Sequence, residues 1–176
     1  MHLKLKDSPI VCLVGFMGCG KSTVGPLLAA RLGWVFVDLD EEIERSSGSS
    51  VSEMFEREGE AAFRDREHQA LGQQLTLARQ GRPRVLALGG GAFAEPRNRQ
   101  GLEAGGISIW LECPPEKLWP RVAGWAHRPL ARDPETFRRL YEERRPSYQG
   151  ADFTVSCDTE GPRQVVETIL RLPLWS

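Results

Sequence analysis

Lysine is scarce in this chain: four residues, against nineteen arginines. Net positive charge is absent too, with a formal balance of -1, and no basic face or tail of the kind that marks a nucleic-acid binder stands out. Nor is there an apolar run near the roughly 20 residues that a membrane-crossing helix needs. Lys4 and Lys6 precede IVCLVGF, but that run is short and leads into a glycine-rich turn, so it reads as a core strand and not as a secretory signal. The cysteines, Cys12, Cys19, Cys113 and Cys157, lack paired metal-binding spacing. They suit a reducing cytoplasm, with Cys12 buried as a small hydrophobe. His2, His68 and His127 have no partners at catalytic or metal spacing and read as structural or surface residues. There is no N-K-x-D guanine-reading motif, and the D-x-x-G match at 158–161 follows the last expected strand, which argues against a GTPase.

What is present is GFMGCGKS at 15–22. Gly15-x-x-x-x-Gly20-Lys21-Ser22 is a complete phosphate-loop pattern, with an apolar strand before it and a helix pattern after it. Such glycines let backbone N–H groups converge on phosphate oxygens, the lysine reaches the β and γ phosphates, and the serine hydroxyl can coordinate Mg²⁺. The following helix adds the positive end of its dipole. Against that scarcity, Lys21 is not drawn from a lysine-rich background. Pro26 falls inside this helix, where a kink is expected.

The pattern predicts strands at 10–14, 34–38, 84–88, 107–111 and 152–156. Helices are expected over 21–32, 51–57, 60–79, 115–123, 134–145 and 162–171. Alternation of this kind predicts one domain with a parallel sheet covered by helices on both faces. A chain of 176 residues can bury a sizeable core, roughly 70% of its unfolded surface. Residues 40–62 and 124–134 read as mobile excursions. GGGAFA at 89–94 fits a dinucleotide fingerprint only formally, because no acidic ribose partner follows on a later strand.

Asp38 and Asp40 close the second strand, and an i, i+2 pair in a strand shares a face. At the carboxyl edge of a parallel sheet, that pair suits a metal partner and a hydroxyl acceptor. Helix capping before EEIE is the competing role. In AAFRDREHQAL and its continuation, Phe63, Glu67, Ala70, Leu71, Gln74, Leu75 and Ala78 form one helical stripe. Arg64 and Glu67 are i, i+3 neighbours; spacing alone makes them a surface ion pair of little consequence. In the helix opened by Asp133 and Pro134, Phe137, Leu140, Tyr141 and Arg144 share the inward face. A guanidinium there needs an anion, either Glu67 or a ligand carboxylate held by two parallel bonds.

In order, GFMGCGKST, DLDEEIE, EMFEREGEAAFRDRE, LGGGA, RPL and ERRPSY give the chain a resemblance to shikimate kinases over nearly its whole length. The resemblance implies a three-layer α/β/α fold of the nucleoside-monophosphate-kinase kind with a five-stranded parallel sheet. It implies a single domain over 1–176, an acceptor-binding excursion at about 40–68 and a lid at about 124–134. ATP would be held by Gly18, Cys19, Gly20, Lys21, Ser22, Thr23, Arg121 and Arg128, with Arg121 stacked on adenine and Arg128 closing over the transferring phosphate. Shikimate would meet Asp40 at its ring hydroxyls, Arg64 and Arg144 at its carboxylate, and the backbone of Gly89, Gly90 and Gly91. Ser22 and Asp38 would hold Mg²⁺. Lys21, Asp40 and Arg128 would be catalytic. Family members commonly carry D-T-D where this chain has D-L-D, and the changed middle residue should point away from the site. The implied protein is a cytoplasmic monomer with no nucleic-acid or membrane partner. Two alternatives stay open: another P-loop small-molecule kinase, such as a gluconate kinase, and a nucleotide-binding regulatory module without catalysis.

Overall fold

The computed structural model describes residues 9–124, 133–158 and 161–175. In chain order the elements are β1 (Ile10–Val14), α1 (Lys21–Leu32), β2 (Val35–Asp38), α2 (Leu39–Ser47), α3 (Val51–Glu58) and α4 (Glu60–Arg79). There follow β3 (Arg84–Ala87), α5 (Pro96–Gly105), β4 (Ile107–Glu112), α6 (Pro115–Val122), α7 (Pro134–Tyr148), β5 (Phe153–Ser156) and α8 (Pro162–Leu170). All pairings are parallel, and the sheet order is β2-β3-β1-β4-β5. β1 is flanked by β3 and β4, so its five apolar residues are all buried. β2 lies at an edge, which leaves Val35 56% exposed. α1 packs against α8, while α4 packs against α2, α3 and α5. The expected three-layer architecture and all five strands are therefore present.

Two helices were not anticipated, α2 and α5. Residues 40–62, expected as a mobile excursion, are mostly helical, in α2, α3 and the start of α4. The Asp38 side chain accepts from the Asp40 and Glu41 N–H groups and so starts α2, which buries Leu39 and Ile43 one turn apart. Ser50 and Glu53 form a reciprocal capping box at the start of α3, which buries Met54. Phe55 of α3 meets Phe63 of α4 with ring centroids 4.8 Å apart. These contacts tie the excursion to the core, which its charge-rich surface hides in the sequence. α1 continues through Pro26 to Leu32, where Gly33 ends it at φ 67°. α7 runs three residues beyond its expected end, through Pro146 to Tyr148, because Tyr148 is itself a core residue. Asp133 caps it as expected, accepting from Thr136 N at 2.8 Å.

The four cysteines are free and buried, and burial pushes the Cys157 thiol up to about 12. No helix among the described residues is long and apolar enough to cross a membrane. Of the excursion at 124–134, residues 125–132 lie outside the described residues, and with them His127 and Arg128.

A glycine inside α1 supplies a test of the packing. A Cβ at Gly25 would stand 2.8 Å from Cδ2 of the Phe36 ring and closer still to Cε2. Alanine improves helix propensity by about 1 kcal/mol, but the flat ring cannot bend aside as a flexible side-chain end would. We expect Gly25→Ala to lower unfolding free energy in urea by about 1–2 kcal/mol net, the overpacking cost outweighing the propensity gain.

Candidate active site

The phosphate loop follows β1 and delivers its chain into α1. Gly18 and Gly20 take left-handed backbone angles, φ 83° and 100°, which only glycine adopts without strain. Gly20 is the N-cap of α1, and neither a side-chain cap nor an acidic residue occupies the first turn. The helix start therefore offers its N–H groups and positive dipole end to an anion. Lys21 Nζ donates to the carbonyls of Gly15 at 2.6 Å and Phe16 at 3.2 Å, which folds the ammonium back over the loop. Cys19 is buried, and its thiol packs inside the loop, accepting from Lys21 Nζ at 3.7 Å. Arg121 Nη1 donates to Gly18 O at 3.1 Å, pinning α6 to the same loop.

Beside the loop lies an open cleft of about 260 Å³. It is lined by Gly18, Gly20, Lys21, Ser22, Thr23 and Arg121 from the phosphate-loop side, and by Asp38, Asp40, Gly89 and Gly90 opposite. Asp38 Oδ2 accepts from Ser22 Oγ at 3.2 Å, while Oδ1 accepts from Asp40 N at 3.0 Å. Two expectations change here. Asp40 does not share a strand face with Asp38; it sits in the first turn of α2. The helix cap is Asp38, which combines capping with its contact to Ser22. Both carboxylates still reach the cleft, because the chain turns from strand to helix between them.

The side of the cleft away from the phosphate loop is built around the turn Gly89–Ala92, closed by Ala92 N donating to Gly89 O at 3.0 Å. None of its three glycines has a positive φ, so the need for glycine is steric. A Cβ at Gly89 would lie 2.8 Å from Asp40 Oδ1. At Gly90 it would lie 3.0 Å from Arg144 Nη1, and at Gly91 2.8 Å from Arg64 Cζ. Each missing Cβ thus admits one polar side chain, from α2, α7 and α4 in turn.

Glu67, one turn on from Arg64, is 1% exposed and takes Arg64 Nη1 at 2.8 Å. The pair is not the surface bridge that spacing alone implied. Burial pushes the Glu67 carboxyl above its ordinary value, opposed by the Arg64 charge and more weakly by Arg144. Tyr148, which sequence reasoning missed, donates its hydroxyl to Gly90 O at 2.7 Å. Burial drives its ionisation up, and Arg144 is both a charge and a hydrogen-bonding neighbour. The sequence signal for Tyr148 was its position seven residues after Tyr141, on the same inward face.

The cleft therefore joins a phosphate loop to two carboxylates, and the glycine turn at its edge carries two guanidiniums packed against it. The family model described as shikimate kinase matches residues 17–172. This chain belongs to the shikimate kinase family. It is 47% identical over 163 residues to the shikimate kinase of Paramagnetospirillum magneticum, covering 91% of this chain and 82% of that protein. The shikimate kinase of Chromohalobacter salexigens is 44% identical over 171 residues, 95% of this chain and 93% of that one. Among solved structures, a shikimate kinase from Acinetobacter baumannii in complex with shikimate superposes with a TM-score of 0.86 at 37% identity, covering 97% of this chain and 95% of that one. The Aquifex aeolicus shikimate kinase gives 0.79 at 35% identity, with 92% and 94% covered. Leu39, between the two aspartates, is fully buried and does not line the cleft, as expected.

The buried ion pair sets a stability prediction. Removing Glu67 leaves a guanidinium in a poorly hydrated site. Because the Arg64 side chain is still 17% exposed, Glu67→Ala should cost about 2–3 kcal/mol in urea unfolding, below the cost for a fully enclosed pair. Glu67→Gln should cost less, since the amide oxygen still accepts from Arg64.

Proposed function

We infer that this chain transfers the γ-phosphoryl group of ATP to the 3-hydroxyl of shikimate, giving shikimate 3-phosphate and ADP. The observation that carries this reading is the glycine turn: three consecutive residues without Cβ, each facing one of Asp40, Arg144 and Arg64. A carboxylate beside two guanidiniums suits an acceptor that is both an alcohol and an acid. The fork of an arginine meets a carboxylate with two parallel hydrogen bonds, and the hydroxyl is then directed to Asp40.

In the transfer, the acceptor oxygen bonds to the γ-phosphorus as the bond to the β,γ-bridging oxygen breaks. Little covalent chemistry is asked of the protein; positioning and charge neutralisation dominate. Lys21 would leave its carbonyl partners for the phosphate oxygens, and the backbone of Gly18–Lys21 and the hydroxyls of Ser22 and Thr23 would cradle them. Asp40 would orient the attacking hydroxyl and take its proton late. Arg121, fixed to Gly18, would cover the adenine. Arg128 lies outside the described residues, and we propose it as a further cation over the transferred group, carried on the 124–134 lid.

Mg²⁺ fits at Ser22 and Asp38, a hydroxyl and a carboxylate at the edge of the cleft beside the phosphate loop. So sparse a set of hard oxygen donors is how Mg²⁺ is held together with substrate phosphates and water. Bound there, the ion would neutralise charge on the β and γ phosphates.

ADP release measured with ATP alone, with shikimate and with gluconate tests the reading. Release should depend on shikimate. Dependence on gluconate, or no acceptor dependence at all, would replace it with one of the other two readings. Lys21→Ala should lower kcat by about 10²–10³-fold, the range for losing one preorganised charge stabiliser. Arg144→Lys keeps the charge but loses the fork. It should raise the KM for shikimate at least tenfold, roughly the 1.4 kcal/mol of one lost charge-assisted bond, and leave the KM for ATP unchanged.

A further inference from the structure

Asn98, on α5, is completely buried and takes no part in the transfer just described. Its Nδ2 donates to Ala92 O at 3.0 Å, on the glycine turn. Its Oδ1 lies 2.9 Å from Nδ1 of His68, on α4. The two contacts fix each other's chemistry. A carbonyl can only accept, so the amide must present its NH₂ group to Ala92. The oxygen then faces His68 and can only accept in turn, so His68 must carry a proton on Nδ1. His68 lies one residue past Glu67 and one turn past Arg64 on the same helix.

The turn is thus held from both sides by buried side chains: Tyr148 grips Gly90 O from α7, and Asn98 grips Ala92 O from α5. The turn approaches Asp40, Arg64 and Arg144 more closely than a Cβ at any of its three glycines would allow. We propose that Asn98 and His68 are positioning residues for the acceptor: the relay His68 Nδ1–H to Asn98 to Ala92 O locks the glycine turn to the helix that carries Arg64, and so sets the carboxylate clamp. The proposal rests on the reading of this half of the cleft as the acceptor site. Neither residue touches the phosphate loop, so nucleotide binding is independent of the relay.

Two variants of His68 separate the proton from the bulk. Asparagine places an N–H donor where Nδ1 stands, whereas leucine fills the space without one. His68→Leu should raise the KM for shikimate about tenfold, the effect of orphaning one buried acceptor. The KM for ATP and kcat should stay within about threefold, since the relay sets ground-state acceptor binding. His68→Asn should restore the KM. Asn98→Ser should behave as His68→Leu does. Nitrogen-15 spectra of the histidine-labelled protein, assigned by loss of one signal set in His68→Asn, should report a protonated Nδ1 in the neutral ring. An unprotonated Nδ1 overturns the relay. So does an unchanged shikimate KM in His68→Leu and Asn98→Ser while wild-type ADP release depends on shikimate; the function then stands and this inference falls. Equal impairment by leucine and asparagine, or a matching rise in the ATP KM, reduces both residues to packing. Wild-type ADP release with no dependence on shikimate overturns the function and the relay together.

Discussion

The site depends first on the register of three parallel strands. Asp38, the last residue of β2, pairs with Ala87, and Ala87 pairs in turn with Leu13 of β1. Neighbouring strands are about 4.8 Å apart, so the chain leaves β2, β3 and β1 at one level within about 10 Å. The two aspartates, the glycine turn and the phosphate loop are what leaves there. A parallel sheet sends all its carboxyl ends the same way, and this sheet reverses its winding direction at β1, where a crevice opens between diverging connections. A one-residue slip of β2 against β3 would carry Asp38 away from Ser22 and point its neighbours to the wrong face.

Onto that frame the glycine turn adds a steric condition. Long polar side chains from α2, α4 and α7 converge on one turn, and they can do so only against bare backbone. Convergence of charge in a half-buried place is costly unless each charge is matched. Glu67 supplies part of that match for Arg64, and its own burial is offset by the same contact. The carbonyls of Gly89, Gly90 and Ala92 are taken up by the turn's own Ala92 N–H, by Tyr148 and by Asn98 in order. Buried polar networks of this kind specify one geometry because any shift leaves a group unsatisfied. The phosphate loop follows a different logic. It is held by backbone angles open to glycine and by a lysine bonded to its carbonyls, which leaves the N–H groups of the α1 start for an anion.

Local order was readable in the sequence wherever a single residue type has a single physical use. The apolar runs marked the strands, because strands buried on both faces carry apolar side chains on both. The phosphate loop was readable because its spacing is contiguous and its glycines act locally. Asp133 and Pro134 marked the start of α7 for the same reason. The resemblance to shikimate kinases was legible because six such stretches come in one order. The D-x-D pair was found by a wrong route: the side chains reach one cleft across a strand-to-helix turn, not along a strand face. α2 was passed over although Leu39 and Ile43 were in view, since the charged residues around them masked a short apolar stripe.

By itself, then, the sequence determined the parallel α/β class, the phosphate loop and the residue types available for an acidic alcohol acceptor, since those follow from contiguous patterns and local backbone preferences. Tertiary structure alone decided which of nineteen arginines meet the glycine turn, that Glu67 is buried beneath one of them, and that Tyr148, Asn98 and His68 hold that turn. The reason is range. Asn98 meets His68 across 30 positions and Tyr148 meets Gly90 across 58. No helical or strand period links such pairs; only the packing of α4, α5 and α7 around the end of β3 brings them within hydrogen-bonding distance.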